Sequence, residues 1–205
     1  MAIAKTSVPE RSWGDVFDVI DRVITDVNGE TTSGAGAASG TGVVAVELGD
    51  AALKKTVITL TNASITMTDA GAAGSHGSLK VYDFPAGVIS YIGGTTDLTI
   101  ARVGTAITAT AAVVGALGTA TVGTDDATLT TTEADLIPET ASTLTAGAGV
   151  TKGKYAVAPQ APFDGTATAI DAFLNFAIPD AGSTGNDALL VNGTITIVWS
   201  NLGDN

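Results

Sequence analysis

The chain's single histidine, His76, stands in "GSHGSLKVYDFPAGVI" between Gly74 and Ile89, with Asp83 a few residues downstream. There is no cysteine. Thiolate zinc sites, cysteine nucleophiles and disulfides are therefore excluded, and any triad or histidine-ligated metal would have to use His76. Ser75 and Ser78 flank it, but no Gly-x-Ser-x-Gly elbow is present. "AAGSHGS" reads as an exposed loop of small residues, with His76 solvated. Asp125-Asp126, in the turn-like "GTDDATL", is the tightest carboxylate pair. Adjacent strand residues point to opposite faces, which does not suit acid–base work. "DAGSTGNDA" offers Asp180, Asn186 and Asp187 as oxygen ligands for calcium, without EF-hand spacing; the competing reading is an ordinary acidic turn. Asn62-Ala63-Ser64 and Asn192-Gly193-Thr194 match a glycosylation pattern. Asn192-Gly193 reads better as a tight hairpin turn joining "ALLV" to "TITIVW". "SGAGAASGTG", Ser33 to Gly42, precedes the strand-like "VVAVEL" rather than following a strand, so it is not a dinucleotide loop. No catalytic, cofactor-binding or metal-binding residue is assigned, and the chain is not expected to be an enzyme.

The elements available to position these groups are mostly strands. From Thr56 onward, "TVITLTNASITMT" alternates, placing Ile58, Leu60, Ile65 and Met67 on apolar positions. "SLKVYDF", "GVISYI", "DLTIARV", "AITATAAVV", "TATVG", "DAFLNFAI" and "GTITIVWS" follow, separated by Gly-Gly, Gly-Thr and similar breakers. Short runs of this kind predict a mainly β fold, an antiparallel β-sandwich or barrel of jelly-roll or Greek-key type. Leu79 to Phe84 form one strand, Pro85-Ala86-Gly87 a turn, and Val88 starts the next strand. Asp83 is then a strand-end acid. "TTEADLIP" predicts one helical turn, capped by Thr132 and ended by Pro138.

One helix is expected. In "RSWGDVFDVIDRVITDV", Arg11 to Val27, Trp13, Val16, Phe17, Ile20, Val23, Ile24 and Val27 recur at helical spacing, with Ser12 as a cap. Asp15, Asp18, Asp21 and Asp26 fall largely off that stripe. Residues 1–50 thus form an N-terminal arm or helix with a Gly-rich linker, and residues 51–205 form one β domain. The stripe, led by Trp13, Phe17, Ile20 and Ile24, is the candidate contact with a neighbouring subunit or with the edge of the chain's own sandwich.

Composition narrows the function classes. Nine Lys and Arg face 21 Asp and Glu, a net charge of −12, which repels nucleic acid. No run approaches the roughly 18 apolar residues of a membrane helix, and "MAIAKTSVPERSW" does not read as a secretory signal. Apolar residues make up 45% of the chain but aromatics only 5%, which suggests closely packed thin sheets rather than an aromatic-walled pocket.

Four stretches carry a resemblance: "GAAGSHGSLKVYDFPAGVI", the Ala/Thr-rich middle through "TEADLIPETAS", "FDGTATAIDAFLNFAIPDAGS" and the C-terminal "VNGTITIVWSNLGD". They resemble decoration, or cement, proteins on the heads of tailed bacteriophages, over most of the chain from about Thr56. The resemblance implies a β-rich virion protein without catalytic residues or cofactors. It would be made in the host cytoplasm and bound in many copies, often as a trimer, to the major capsid protein on the outer shell. The alternatives are a tail or head-fibre subunit, a surface adhesion module, or a virion-borne glycan hydrolase. The hydrolase would need a carboxylate pair and aromatic platforms.

Overall fold

The computed structural model describes residues 37–49, 53–123, 128–155 and 162–203. The stripe of Trp13, Phe17, Ile20 and Ile24 and the pair Asp125-Asp126 lie outside them. The described residues form twelve strands: β1 (Ala37–Ala38), β2 (Val43–Gly49), β3 (Lys54–Asp69), β4 (Ser75–Asp83), β5 (Gly87–Arg102), β6 (Ala112–Gly118), β7 (Ile137–Thr143), β8 (Ala148–Thr151), β9 (Lys154–Tyr155), β10 (Phe163–Gly165), β11 (Asp171–Ile178) and β12 (Asp187–Asn201). Every pairing between them is antiparallel.

The strands make a two-layered sandwich that nearly closes into a barrel. One layer is β5–β12–β3–β2, with β8, β9 and β10 paired in succession along the outer edge of β5. The other is β4–β11–β6–β7. The layers join where Thr68 and Asp69 of β3 pair with His76 and Ser75 of β4. The chain crosses back through Phe84, Pro85 and Ala86 into β5. β11 and β12, late in sequence, insert between β4 and β6 and between β3 and β5. The core between the layers is built from aliphatic side chains around Trp199, Tyr82 and Phe176, all fully buried.

The three longest strands explain most differences from the sequence reading. β3, β5 and β12 run for 16, 16 and 15 residues, and β5 and β12 pass straight through Gly93-Gly94 and Asn192-Gly193, positions expected to break them. In β3 the buried phase shifts from Ile58 and Leu60 to Ala63, Ile65 and Met67. A strand can change phase without ending only by inserting an extra residue. The register shows that insertion: Leu60 pairs with Gly193 and Ala63 with Val191, so Thr61 and Asn62 oppose Asn192 alone. Asn62 takes a left-handed φ of 49°, and its N–H donates to Oδ1 of Asn192 at 2.8 Å. Asn192-Gly193 is thus a bulge site inside β12, not a hairpin turn. "GVISYI" and "DLTIARV" are likewise one strand. Its buried phase moves from Ile89 and Tyr91 to Thr96, Leu98 and Ile100, and the extra residue is Ile92.

Other expectations are corrected locally. His76 lies in β4 and is half-buried, because Ser75 and His76 are drawn into pairing with β3 and β11. "TATVG" is irregular: the carboxylate of Asp135 accepts hydrogen bonds from Thr119 N and Oγ1, at 2.8 and 2.7 Å, which diverts the chain from a ladder. "AITATAAVV" is split by a turn, with Ala111 N bonded to Thr108 O. The helical turn near Thr132 is a 3-10 turn at Thr131–Glu133. It is preceded by Thr130, whose N–H is held by Glu133 Oε2, and Pro138 lies within edge strand β7. Val43–Gly49, grouped by sequence with the arm, pairs along its whole length with Lys54–Leu60.

Gly193 has φ 132°, and a β-carbon there would collide with the carbonyl oxygen of Asp97. Gly193→Ala is expected to destabilise the fold by about 2–4 kcal/mol in urea titration. Gly71→Ala is the control. Its φ is 68° with open space around it, so only the roughly 1 kcal/mol conformational penalty applies. Equal effects would reject the steric account of the bulge.

Candidate functional site

Three clusters contain the polar groups best placed for chemistry. The first sits where β4 meets β11. Asp83 and Asp171 are directly opposed in the register. The Lys80 ammonium bridges them, paired with Asp83 and 2.9 Å from Asp171 Oδ1. The hydrogen bond from Asp171, followed by Lys80, holds Asp83 below the usual carboxylate range. Partial burial, then the neighbouring Asp83, pushes Asp171 up. Two carboxylates with diverging affinities can share a proton. Here, however, a lysine clamps both, and the triad ties the ends of two strands together. It lines neither of two concavities elsewhere on the molecule. One is a groove of about 370 Å³ lined by Thr99, Ala101, Val150 and Leu190. The other, of about 190 Å³, is lined by Thr108, Ala111 and Pro179.

The second cluster is buried and joins the layers. Alternation turns Val43, Ala45 and Glu47 of β2 inward, along with Lys54, Thr56 and Ile58 of β3. Glu47 and Lys54 are therefore charged residues on an apolar phase. The Tyr82 hydroxyl of the opposite layer donates to Glu47 Oε1, and Lys54 Nζ lies 4.0 Å from Glu47 Oε2. Burial, then the hydrogen bond to Glu47, raises the Tyr82 pKa far above its ordinary value, so the phenol stays a neutral donor. Trp199 Nε1 donates to Thr56 Oγ1 at 2.9 Å. Phe84 stands edge-on to both Tyr82 and Trp199, with centroids at 5.0 and 5.2 Å. The sequence signal for this cluster was present in the inward phase of Glu47 and Lys54. The partner Tyr82, from the other layer, was not legible.

The third is the surroundings of His76. Its Nδ1 is buried without a hydrogen-bond partner. Ser75, its neighbour in β4, points to the opposite face and bonds to Ser183 Oγ. Ser78 shares the His76 face but donates to Asn175 Oδ1 at 2.7 Å and accepts from Val122 N. Neither serine is held by the imidazole as a nucleophile would be. In the candidate calcium loop, Asp187 accepts from Gly104 N, Ile107 N and Ala188 N at 2.7–2.9 Å. Partial burial opposes ionisation there, yet those backbone N–H groups outweigh it and hold the Asp187 pKa low. Asn186 Oδ1 accepts from Asp69 N. Among the described residues no group of three or more acidic, histidine or cysteine side chains could hold a metal ion. Nor is any described helix long and apolar enough to cross a membrane.

Comparison with family models, with curated proteins and with solved structures returned no match.

Glu47→Ala strips a buried ammonium and a buried phenol of their shared carboxylate, with an expected loss of about 3–5 kcal/mol in denaturant midpoint analysis. Glu47→Gln keeps an acceptor for Tyr82 and is expected to lose about 1–2 kcal/mol. A near-neutral Glu47→Ala would contradict the pinning role.

The triad carries a pH signature. A raised acid pKa in the fold means that Asp171 binds protons more readily folded than unfolded. Its contribution therefore falls as pH rises above the unfolded value of about 3.9. Asp83, depressed, contributes the opposite slope, lost as pH falls. Asp171→Asn should thus lose relative to wild type as pH drops from 7 to 4.5, by less than about 1 kcal/mol at these partly exposed sites. A relative gain on acidification would refute the assignment.

Proposed function

We propose that this chain is a structural virion protein that binds the outside of a tailed-phage capsid in many copies, as a homo-oligomer such as a trimer, and stiffens the shell by bridging major capsid subunits. The observation carrying the reading is where the resembling stretches fall. They cover β4 with the corner into β5, nearly all of β7, β10 with β11, and the greater part of β12. Those strands belong to both layers of the sandwich, so the resemblance concerns the β body rather than a single loop.

The polar chemistry supports the same reading. Lys80, Asp83, Asp171, Glu47, Tyr82 and Asp187 hold strands and loops in place. A cement protein needs such rigidity, because it acts by adding contacts to the assembled shell. Each contact is weak, and their sum over many copies is large. The acidic balance of −12 keeps the free protein soluble and favours a basic receiving surface.

Quantitative mass spectrometry of purified particles tests the proposal. Copy numbers in the hundreds, scaling with the shell protein, are expected. Purified chain should also co-sediment with shells that lack it and raise their disruption temperature. His76→Ala should do both as well as wild type. A handful of copies per particle would move the chain to the tail or a fibre. Absence from particles would point to an adhesion module, and loss of a hydrolytic activity in His76→Ala would point to an enzyme.

A further inference from the structure

The sequence leaves two homes for the apolar stripe of residues 11–27, a neighbouring molecule or this chain's own sandwich. The outer face of the β2-containing layer bears on that choice. Alternation turns Val44 and Val46 of β2 away from the core, with Val46 opposite Val57 of β3. Val44 is 60% exposed, Val46 42% and the adjoining Leu53 49%. Val198 and the exposed Lys55 form the next cross-strand pair on the same face. The patch therefore combines β-branched apolar side chains with one cation.

β2 is also an edge. Among the described residues its only partner strand is β3. The far edge of the other layer, β7, carries Pro138 and Glu139, residues that discourage further pairing. β2 reads Val-Val-Ala-Val, and its Glu47 is turned inward. An exposed apolar edge of this type calls for a cover.

The chain arrives beside it. Ala37 and Ala38 pair with Asp83 and Tyr82, and the Tyr82 hydroxyl meets Glu47 of β2. The described chain thus begins at Ala37, only the short connection of residues 39–42 ahead of β2 and its exposed valines. The linker from Val27 to Ala37 reaches about 30 Å when extended, and a helix over residues 11–27 measures about 25 Å. A tether of that length gives an effective concentration in the millimolar range, which favours this chain's face over another molecule's. Charge agrees, since Asp15, Asp18, Asp21 and Asp26 flank the stripe and Lys55 stands in the patch.

We propose that residues 11–27 dock on their own sandwich, with Trp13, Phe17, Ile20 and Ile24 over Val44, Val46 and Leu53, and so cover the β2 edge. This docking does not depend on the capsid reading.

The chain has two tryptophans, and Trp199 is fully buried. Subtracting the Trp13→Phe spectrum therefore isolates Trp13 in the full-length protein. Trp13 emission is expected to be blue-shifted and shielded from iodide. Val46→Lys should shift it to the red and open it to quenching. Val103→Lys, at a 58% exposed valine beyond the other end of β5, should leave it unchanged. The near-ultraviolet signal of buried Trp199 checks that both variants are folded. Because the chain has no cysteine, Phe17→Cys or Ile20→Cys can be paired with Val46→Cys and oxidised cleanly. A disulfide-linked monomer from either pair is the expected product. Covalent dimers or larger ladders would place the segment on a neighbouring copy and overturn the proposal. So would freely quenched Trp13, a Trp13 indifferent to Val46→Lys, or no disulfide from either pair.

Discussion

The structure depends on the ability of three long strands to keep one face in the core along their whole length while bending. β12 lies between β3 and β5, and all three run past 14 residues. A flat strand of that length cannot serve a closed, twisted body. The bulges at Thr61-Asn62 and at Ile92 supply the bend, and each resets the inward phase by one residue. Beyond its bulge β3 leaves β2 and reaches β4, which is how one layer becomes the other.

Polar groups then fasten what the bulges have shaped. Glu47, Lys54 and Tyr82 span the layers under Trp199, and Lys80 holds Asp83 to Asp171 at the strand ends. On the outer side of the second layer, Asn175 is fully buried. It donates to the carbonyls of Ala120 and Glu133 and accepts from Ser78, binding the irregular segment after β6 to the sheet. That segment covers a small second core of Ala116, Val122, Leu129 and Ala177. Residue types that do chemistry elsewhere are used here as fasteners, because their hydrogen-bonding capacity is directed at backbone and neighbouring side chains.

This economy bears on function. A protein that works by adding contacts to a large assembly benefits from a body that does not yield under load. Thr-rich outer faces with few charges suit broad, shallow contacts better than a deep pocket. One apolar stretch of that surface, along β2, lies beside the entry of the N-terminal chain. Docking of the stripe there would leave the remaining faces open to the contacts proposed above.

The β class of the fold and the inward positions of β3 were legible in the sequence alone, whereas Tyr82, alternating with Val81 and grouped by pattern with Lys80, is buried in the core. The class and those inward positions follow from local alternation, as Ile58, Leu60, Ile65 and Met67, all buried, illustrate. The bulges were present as phase shifts at Asn62 and Ile92, but the second stands beside Gly93-Gly94, which local turn chemistry reads as a strand end. Asn-Gly is a hairpin signal unless a neighbouring strand on each side claims its backbone, and only the assembled sheet provides β3 and β5 for that purpose. The pairings of Glu47 with Tyr82 and of Asp83 with Asp171 were likewise decided by tertiary structure. Residues 35 and 88 positions apart meet only after the layers close and β11 inserts beside β4, and no local pattern encodes that encounter.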